Sequence, residues 1–295
     1  MPYPRHAQVS PQTTPYYHCV SRCVRRALLC GWDQLTGRSY EHRKQWIVDR
    51  LALLGEVFCI DICAYAVMEN HHHVVLRLNV EEAADLSDEA VLDRWSRLFG
   101  LPVLVERYRR GASASEVEAE TAREWIATYR ERLSDLSWFM RCLNEPIARW
   151  ANAEDGVTGR FWEGRFKSQA LLDEAALLTC MSYVDLNPVR AAIAETPEDS
   201  AYTSIQARIR ACAKSSDEKD KPRAGGDEAT VTASDEAAET PALLPFRGPE
   251  RRDAPDHLPF AFADYLQLVD WAGRAVRRGR IWTPITCLTV VEARR

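Results

Sequence analysis

Val57–Met68 reads VFCIDICAYAVM and His72–Leu78 reads HHVVLRL, with only Glu69, Asn70 and His71 between them. Both runs are apolar and rich in β-branched residues, and two such runs joined this tightly predict a β-hairpin. Upstream, Tyr16–Arg22 (YYHCVSR) reads as a first strand that ends in a basic cluster of Arg22, Arg25 and Arg26. Between it and the hairpin, Trp46, Ile47, Leu51 and Leu54 recur at helical spacing, which predicts a helix from about Tyr40 to Leu54 with Gly55 as its stop. Downstream, Trp138, Phe139, Leu143, Ile147 and Trp150 form the apolar stripe of a helix from about Leu136 to Asn152. Gly159–Leu172 (GRFWEGRFKSQALL) is turn-rich before it becomes strand-like, and Asp173 then caps a helix that passes through Tyr183 to about Leu186, with Pro188 marking its end. The order strand, helix, strand, strand, helix, strand, helix predicts an α+β fold: a ferredoxin-like split βαβ sheet around a central antiparallel hairpin, with helices on one face and a ligand on the other.

The 295 residues carry 38 Lys and Arg against 43 Asp and Glu, a net charge of −5. That balance excludes a binder that holds nucleic acid by bulk charge alone, but not a local basic groove. The deficit is uneven along the chain. Residues 80–135 carry 13 acidic and 8 basic side chains and read as a helical insertion on the surface. Residues 211–257 carry 11 acidic and 7 basic side chains, are rich in Ala, Pro, Gly and Ser, and read as a disordered acidic linker. This divides the chain into a domain over 1–210, the linker, and a C-terminal appendage over 258–295 that carries a basic amphipathic helix. No apolar stretch is long enough to span a bilayer and the first residues have no signal-like apolar core, so a cytoplasmic protein with reduced thiols is expected. Cys19 with Cys23, and Cys59 with Cys63, have a spacing that zinc tolerates, but their place in strand-like runs favours small buried side chains.

Three segments carry candidate chemistry. Asn70-His71-His72-His73 opens the second strand of the hairpin; alternate residues share a face, so His71 and His73 point one way and His72 the other. Two imidazoles on one face can converge on a divalent ion, and a polar sheet surface would give the same letters. Tyr183 and Asn187 are four apart on one helical face, offering a phenol and an amide to one point, or simply packing. Finally, Gly159–Ser168 interleaves Arg160, Arg165 and Lys167 with Phe161, Trp162 and Phe166, a pattern that suits single-stranded nucleic acid, with the rings tucked under the helices and the cations outward.

Together the HxH pair, the GRFWEGRFKSQ segment and the YVDLNPVRA helix resemble the REP-associated tyrosine transposases, single-tyrosine members of the HUH superfamily, over about Tyr16–Ile205 less the insertion. The resemblance implies metal-dependent nicking and rejoining of single-stranded DNA with hairpin or palindromic ends, through a 5′-phosphotyrosine. It assigns Tyr183 as the nucleophile and His71, His73 and Asn187 as metal ligands. Mg²⁺ or Mn²⁺ is the implied cofactor, since two imidazoles and an amide leave open positions, although such ligands also tolerate zinc. Arg160, Arg165, Lys167 and Arg190 are the expected phosphate contacts, with Arg22, Arg25 and Arg26 behind them. His72 departs from the usual bulky apolar residue between the two histidines. The partner is hairpin-ended single-stranded DNA, with no membrane, and the chain acts as a monomer or a homodimer. Two readings compete: a domesticated DNA-binding protein that no longer cleaves, and a hydrolase in which water attacks and Tyr183 only packs.

Overall fold

The computed structural model describes residues 9–24, 29–219, 240–246 and 256–277. It is a mixed α/β protein built on a four-stranded antiparallel sheet. The strands of that sheet are β1 (Tyr16–Arg22), β4 (Ile60–Val67), β5 (His71–Leu78) and β6 (Lys167–Ala170), in the spatial order β4-β5-β1-β6. A small second ribbon, β2 (Trp32–Asp33) with β3 (Arg38–Ser39), follows β1. The predicted hairpin is β4–β5, but only β5 is central; β4 lies at the edge of the sheet.

The hydrophobic alternation of β5 decides which side chain goes to which face. His72, Val74, Leu76 and Leu78 join one core with helices α1 (Arg43–Val57) and α6 (Leu136–Asp155), where the Phe58 and Phe139 rings meet edge-on at 5.4 Å. Arg43, fully buried on α1, ties the same two helices by donating to Glu154 at 2.7 Å and to Asp155, with its guanidinium over the Tyr40 ring. The α1 helix does not stop at Gly55. It continues to Val57 and ends where Phe58 turns extended, because a residue at Gly55 faces only Ile62 and nothing there demands a left-handed backbone.

Residues 80–135 are helical, as α2 (Val80–Asp85), α3 (Asp88–Ser96), α4 (Val103–Arg109) and α5 (Glu116–Leu133). They are more than a surface insertion. Val91, Leu92, Trp95, Ile126, Tyr129 and Leu133 extend the first core, and Trp95 stacks on Tyr129 at 4.5 Å. Many of their acidic residues are spent on local ion pairs with Arg94, Arg107, Arg109, Arg110, Arg123 and Arg130.

The other sheet face, expected to be open to a ligand, is covered over β4 and β5, while His18 and Val20 of β1 are half-buried and Lys167 of β6 is exposed. There α7 (Glu174–Asp185), capped by Asp173, packs on β4 and β5, followed by α8 (Asn187–Arg190), α9 (Ser204–Lys219) and α10 (Phe262–Arg277). Described parts of the chain after 210 therefore join this second core. The α9 helix runs past 210, Leu244 donates its amide to the Ile62 carbonyl beside β4, and Tyr265, Val269 and Ala272 of α10 are buried with Val184. The remaining linker, 220–239 and 247–255, and the end of the appendage from 278 lie outside the described residues.

A buried polar hub joins these parts. Asp185 Oδ1 accepts from Ser204 Oγ at 2.5 Å and from the Ile205 amide at 2.9 Å, and Oδ2 accepts from Tyr265 Oη at 2.6 Å. Burial nevertheless pushes the Asp185 carboxyl above its usual range. Arg208 donates to the carbonyls of Cys63 and Leu244 and lies over Phe246. Tyr265→Phe removes one donor from a fully buried carboxyl, so it is expected to lower stability by about 1–3 kcal/mol, read by urea unfolding, with the far-UV spectrum unchanged.

Among the described residues no disulfide forms, and Cys19, Cys23, Cys59 and Cys63 are all buried. No helix among them is long and apolar enough to cross a membrane.

Candidate active site

The site lies between β1, β5 and the junction of α7 with α8. On β5 the odd-numbered residues face α7, so His71 and His73 share that side. His72 faces α6, as the alternation predicts. Its Nε2 bonds Asn144 Oδ1 at 2.9 Å, Asn144 donates on to Ser21 Oγ, and the ring meets Trp162 edge-on at 5.5 Å. Its Nδ1 is buried without a partner among the described residues.

Tyr183 and Asn187 are carried on two short helices rather than one. Leu186 is the joint: α7 ends at Asp185, Leu186 takes φ −89° and ψ 2°, and α8 starts at Asn187 with Pro188 in its first turn, where its missing N–H costs nothing. The hydrogen bonds from the Leu186 amide to Ser182 and from the Arg190 amide to Leu186 carry the turn through the joint, so the two side chains stay on one side. Asn187 Nδ2 lies 3.2 Å from His73 Nε2. The half-buried Tyr183 ring stands edge-on to His73 at 5.7 Å between centroids, and the Arg190 guanidinium covers it at 5.1 Å. His71 lies beside His73, ring centroids 4.8 Å apart, and its Nδ1 is 2.6 Å from Asn70 Oδ1. The four residues singled out from the sequence are thus brought together.

A fifth residue joins them that the sequence reading passed over. His18 of β1 meets His73 edge to edge, with ring centroids 5.1 Å apart and planes 14° from parallel, and its Nε2 is 2.9 Å from His73 Nδ1. Only the pairing of β1 with β5, which sets Val20 opposite His73 and His18 opposite Val75, makes them diagonal neighbours on one face. The hint available in the sequence was its parity within YYHCVSR: His18 alternates with the buried Tyr17 and Cys19.

Electrostatics favour neutral imidazoles. Burial, with the neighbouring imidazoles of His18, His71 and His72 and the Arg22 charge, pushes His73 down to about 2. Burial alone takes His18 down to about 4, and burial with Arg22 does the same for His71. His72, enclosed completely, is also lowered to about 4. Above pH 6.5 its ring is neutral in folded and unfolded chains alike; below it the unfolded chain binds a proton that the folded one refuses until about 4. Stability is therefore lost as pH falls through this window, by about 3 kcal/mol for this one group. Urea unfolding at pH 7.5 and 5.0 is expected to show a smaller difference for His72→Gln than for the wild type.

The expected cation contacts lie outward. Arg160, Arg165, Lys167 and Arg190 are exposed while Phe161 is buried and Trp162 donates its indole N–H to the Asn144 carbonyl. The loop that carries Arg160 and Arg165 is tied to the end of β1 by the Glu163 amide donating to the Arg22 carbonyl. Val20 pairs with His73 on one side and Lys167 on the other, so Lys167 stands in the same cross-strand row as His73, about 10 Å away at two strand spacings. Arg22 pairs across to His71. Arg25 and Arg26 lie outside the described residues.

A divalent ion would find its donors in His71, His73 and Asn187. Among the described residues no cluster of three or more His, Cys, Asp or Glu side chains is arranged for a metal. The set that remains is two neutral imidazoles and an amide. With its amide turned so that the oxygen faces His73, Asn187 sits 3.2 Å from Nε2, a spacing that two donors to one ion can have. Two neutral imidazoles and an amide oxygen fit a divalent ion.

No protein-family profile matches the sequence, and no curated protein matches it. Among solved structures, the chain is similar to that of a REP-associated tyrosine transposase bound to a REP hairpin, with 13% sequence identity and a TM-score of 0.37, covering 78% of this chain and 94% of that one.

Proposed function

We propose that this protein nicks and rejoins hairpin-ended single-stranded DNA through a 5′-phosphotyrosine on Tyr183, on a sheet of the ferredoxin-like split βαβ kind. The observation that carries this reading is the convergence of Tyr183, Asn187, His71 and His73 from two distant parts of the chain, with neutral imidazoles and a guanidinium over the phenol. The strand order β4-β5-β1-β6, with α1 and α6 as its crossovers, supports the fold assignment.

His71, His73 and Asn187 would hold Mg²⁺ or Mn²⁺, which when bound would withdraw charge from a non-bridging phosphate oxygen. The chain's own groups do the rest. Tyr183 Oη attacks phosphorus in line, a new tyrosyl O–P bond forms, and the bond to the 3′ oxygen breaks; the phenol gives up its proton and the departing oxygen gains one as a 3′-OH. Attack by a second 3′-OH reverses these changes and joins strands. Arg190, over the Tyr183 ring, places positive charge beside the forming phenolate. Arg160, Arg165 and Lys167 make no ion pair among the described residues, which leaves them available to phosphates; with only these few cations a shallow salt dependence is expected.

The test is a hairpin oligonucleotide labelled on its 5′-phosphate side and incubated with the protein and Mn²⁺. A labelled band that migrates with the denatured protein is the expected result. Binding with no cleavage under any divalent ion would favour a domesticated binding protein, and cleavage with no adduct a hydrolase.

A further inference from the structure

We infer that His18 is a positioning residue that sets the tautomer of His73 and so decides which nitrogen His73 offers to a ligand. This rests on the metal-centre reading above and deepens it. Two ring nitrogens 2.9 Å apart hold a single hydrogen between them, so one donates and the other accepts. If His73 Nδ1–H donates to His18 Nε2, the lone pair of His73 is on Nε2, the atom that faces Asn187. If His18 donates instead, Nε2 of His73 carries the hydrogen and cannot bind an ion. His71 has the same problem solved by an oxygen: Asn70 Oδ1, 2.6 Å from its Nδ1, can only accept and therefore holds His71 as the Nδ1–H form with Nε2 open.

His18 plays that part for His73 from inside the sheet. Its ring lies within 14° of the plane of its neighbour's, so the Nε2 lone pair is directed in that plane at His73 Nδ1. Its Nε2 is committed to His73 Nδ1, whereas Asn187 stands against the other ring nitrogen, His73 Nε2. A metal-ligating histidine is oriented by the partner of its other nitrogen, and loss of such a partner weakens metal binding by about 10- to 100-fold.

The experiment compares the full-length wild type with His18→Phe, His18→Gln and His71→Gln, each checked for folding by circular dichroism. Free Mn²⁺ is followed by electron paramagnetic resonance, and the histidine tautomers of the metal-free proteins by ¹⁵N NMR. Phe keeps an aromatic ring of similar bulk but cannot accept, so His18→Phe is expected to bind Mn²⁺ about 10- to 100-fold more weakly and to show His73 as a mixture of tautomers. Gln can accept through its amide oxygen, so His18→Gln is expected to retain the Nδ1–H form of His73 and to restore affinity to within about threefold. His73 remaining wholly Nδ1–H in His18→Phe, or Mn²⁺ affinity unchanged in that variant, would overturn the inference. So would His18→Gln binding as poorly as His71→Gln with the tautomer intact, which would make His18 a ligand. A wild type that binds no Mn²⁺ overturns the metal-centre reading, while the tautomer in metal-free protein still decides the role of His18.

Discussion

Tyr183→Phe is expected to abolish the covalent protein–DNA adduct, by about 10⁴-fold or more, while hairpin binding stays within about threefold of the wild type. The reason is local. The ring of Tyr183 is held by its edge-on contacts to His73 and His18 and by the Arg190 guanidinium, and a Phe keeps all three. Only the phenolic oxygen is lost. Denaturing gels with labelled hairpin and Mn²⁺ read the adduct, and gel shift reads binding; persistent adduct in this variant would refute the assignment of the nucleophile.

His73→Gln is expected to have the next largest effect, lowering Mn²⁺-dependent adduct formation by about 10²–10³-fold. His73 is the hub of the site, bonded through Nδ1 to His18 and facing Asn187 through Nε2, in a pocket that keeps it neutral. A shorter-reaching amide cannot meet both neighbours, and leaving either short of a partner adds a stability cost of about 1–3 kcal/mol. His72→Gln provides the contrast. That side chain belongs to the Asn144 and Trp162 side of the sheet, so its replacement is expected to lower stability while adduct formation per folded molecule stays within about threefold. Initial rates of adduct formation at saturating Mn²⁺, corrected for the folded fraction, separate the two.

Much of this site was legible in the sequence because it depends on local periodicities. A period of two puts His71 and His73 on one face and His72 on the other. A period near 3.6 places Tyr183 and Asn187 together, and it survives the joint at Leu186 because the hydrogen bonds continue through it. The alternation of rings and cations in 159–168 likewise foretold Phe161 inside and Arg160, Arg165 and Lys167 outside.

What escaped the sequence depends on long-range pairing. His18 becomes part of the site only because β1 lies beside β5, which sets it against His73, 55 residues away in the chain, and no local pattern specifies that neighbour. The covering of the second face is similar: α10 has a clear amphipathic pattern, but its partner surface, with Val184 and Asp185, is assembled only when α7 has crossed the sheet. Gly55 misled because a glycine near the end of an apolar stripe resembles a stop, whereas here the helix ends two residues later. The acidic residues of 80–135 suggested a solvated surface, but their charges face arginines on the same segment while Trp95 and Tyr129 turn inward.

The most direct measurement is mass spectrometry of the trapped adduct after protease and nuclease digestion. The account requires the residual 5′-phosphonucleotide to sit on Tyr183 in the peptide that contains YVDLNPVR. Cleaved DNA with no nucleotide-bearing peptide, or the nucleotide on any other tyrosine, would contradict it.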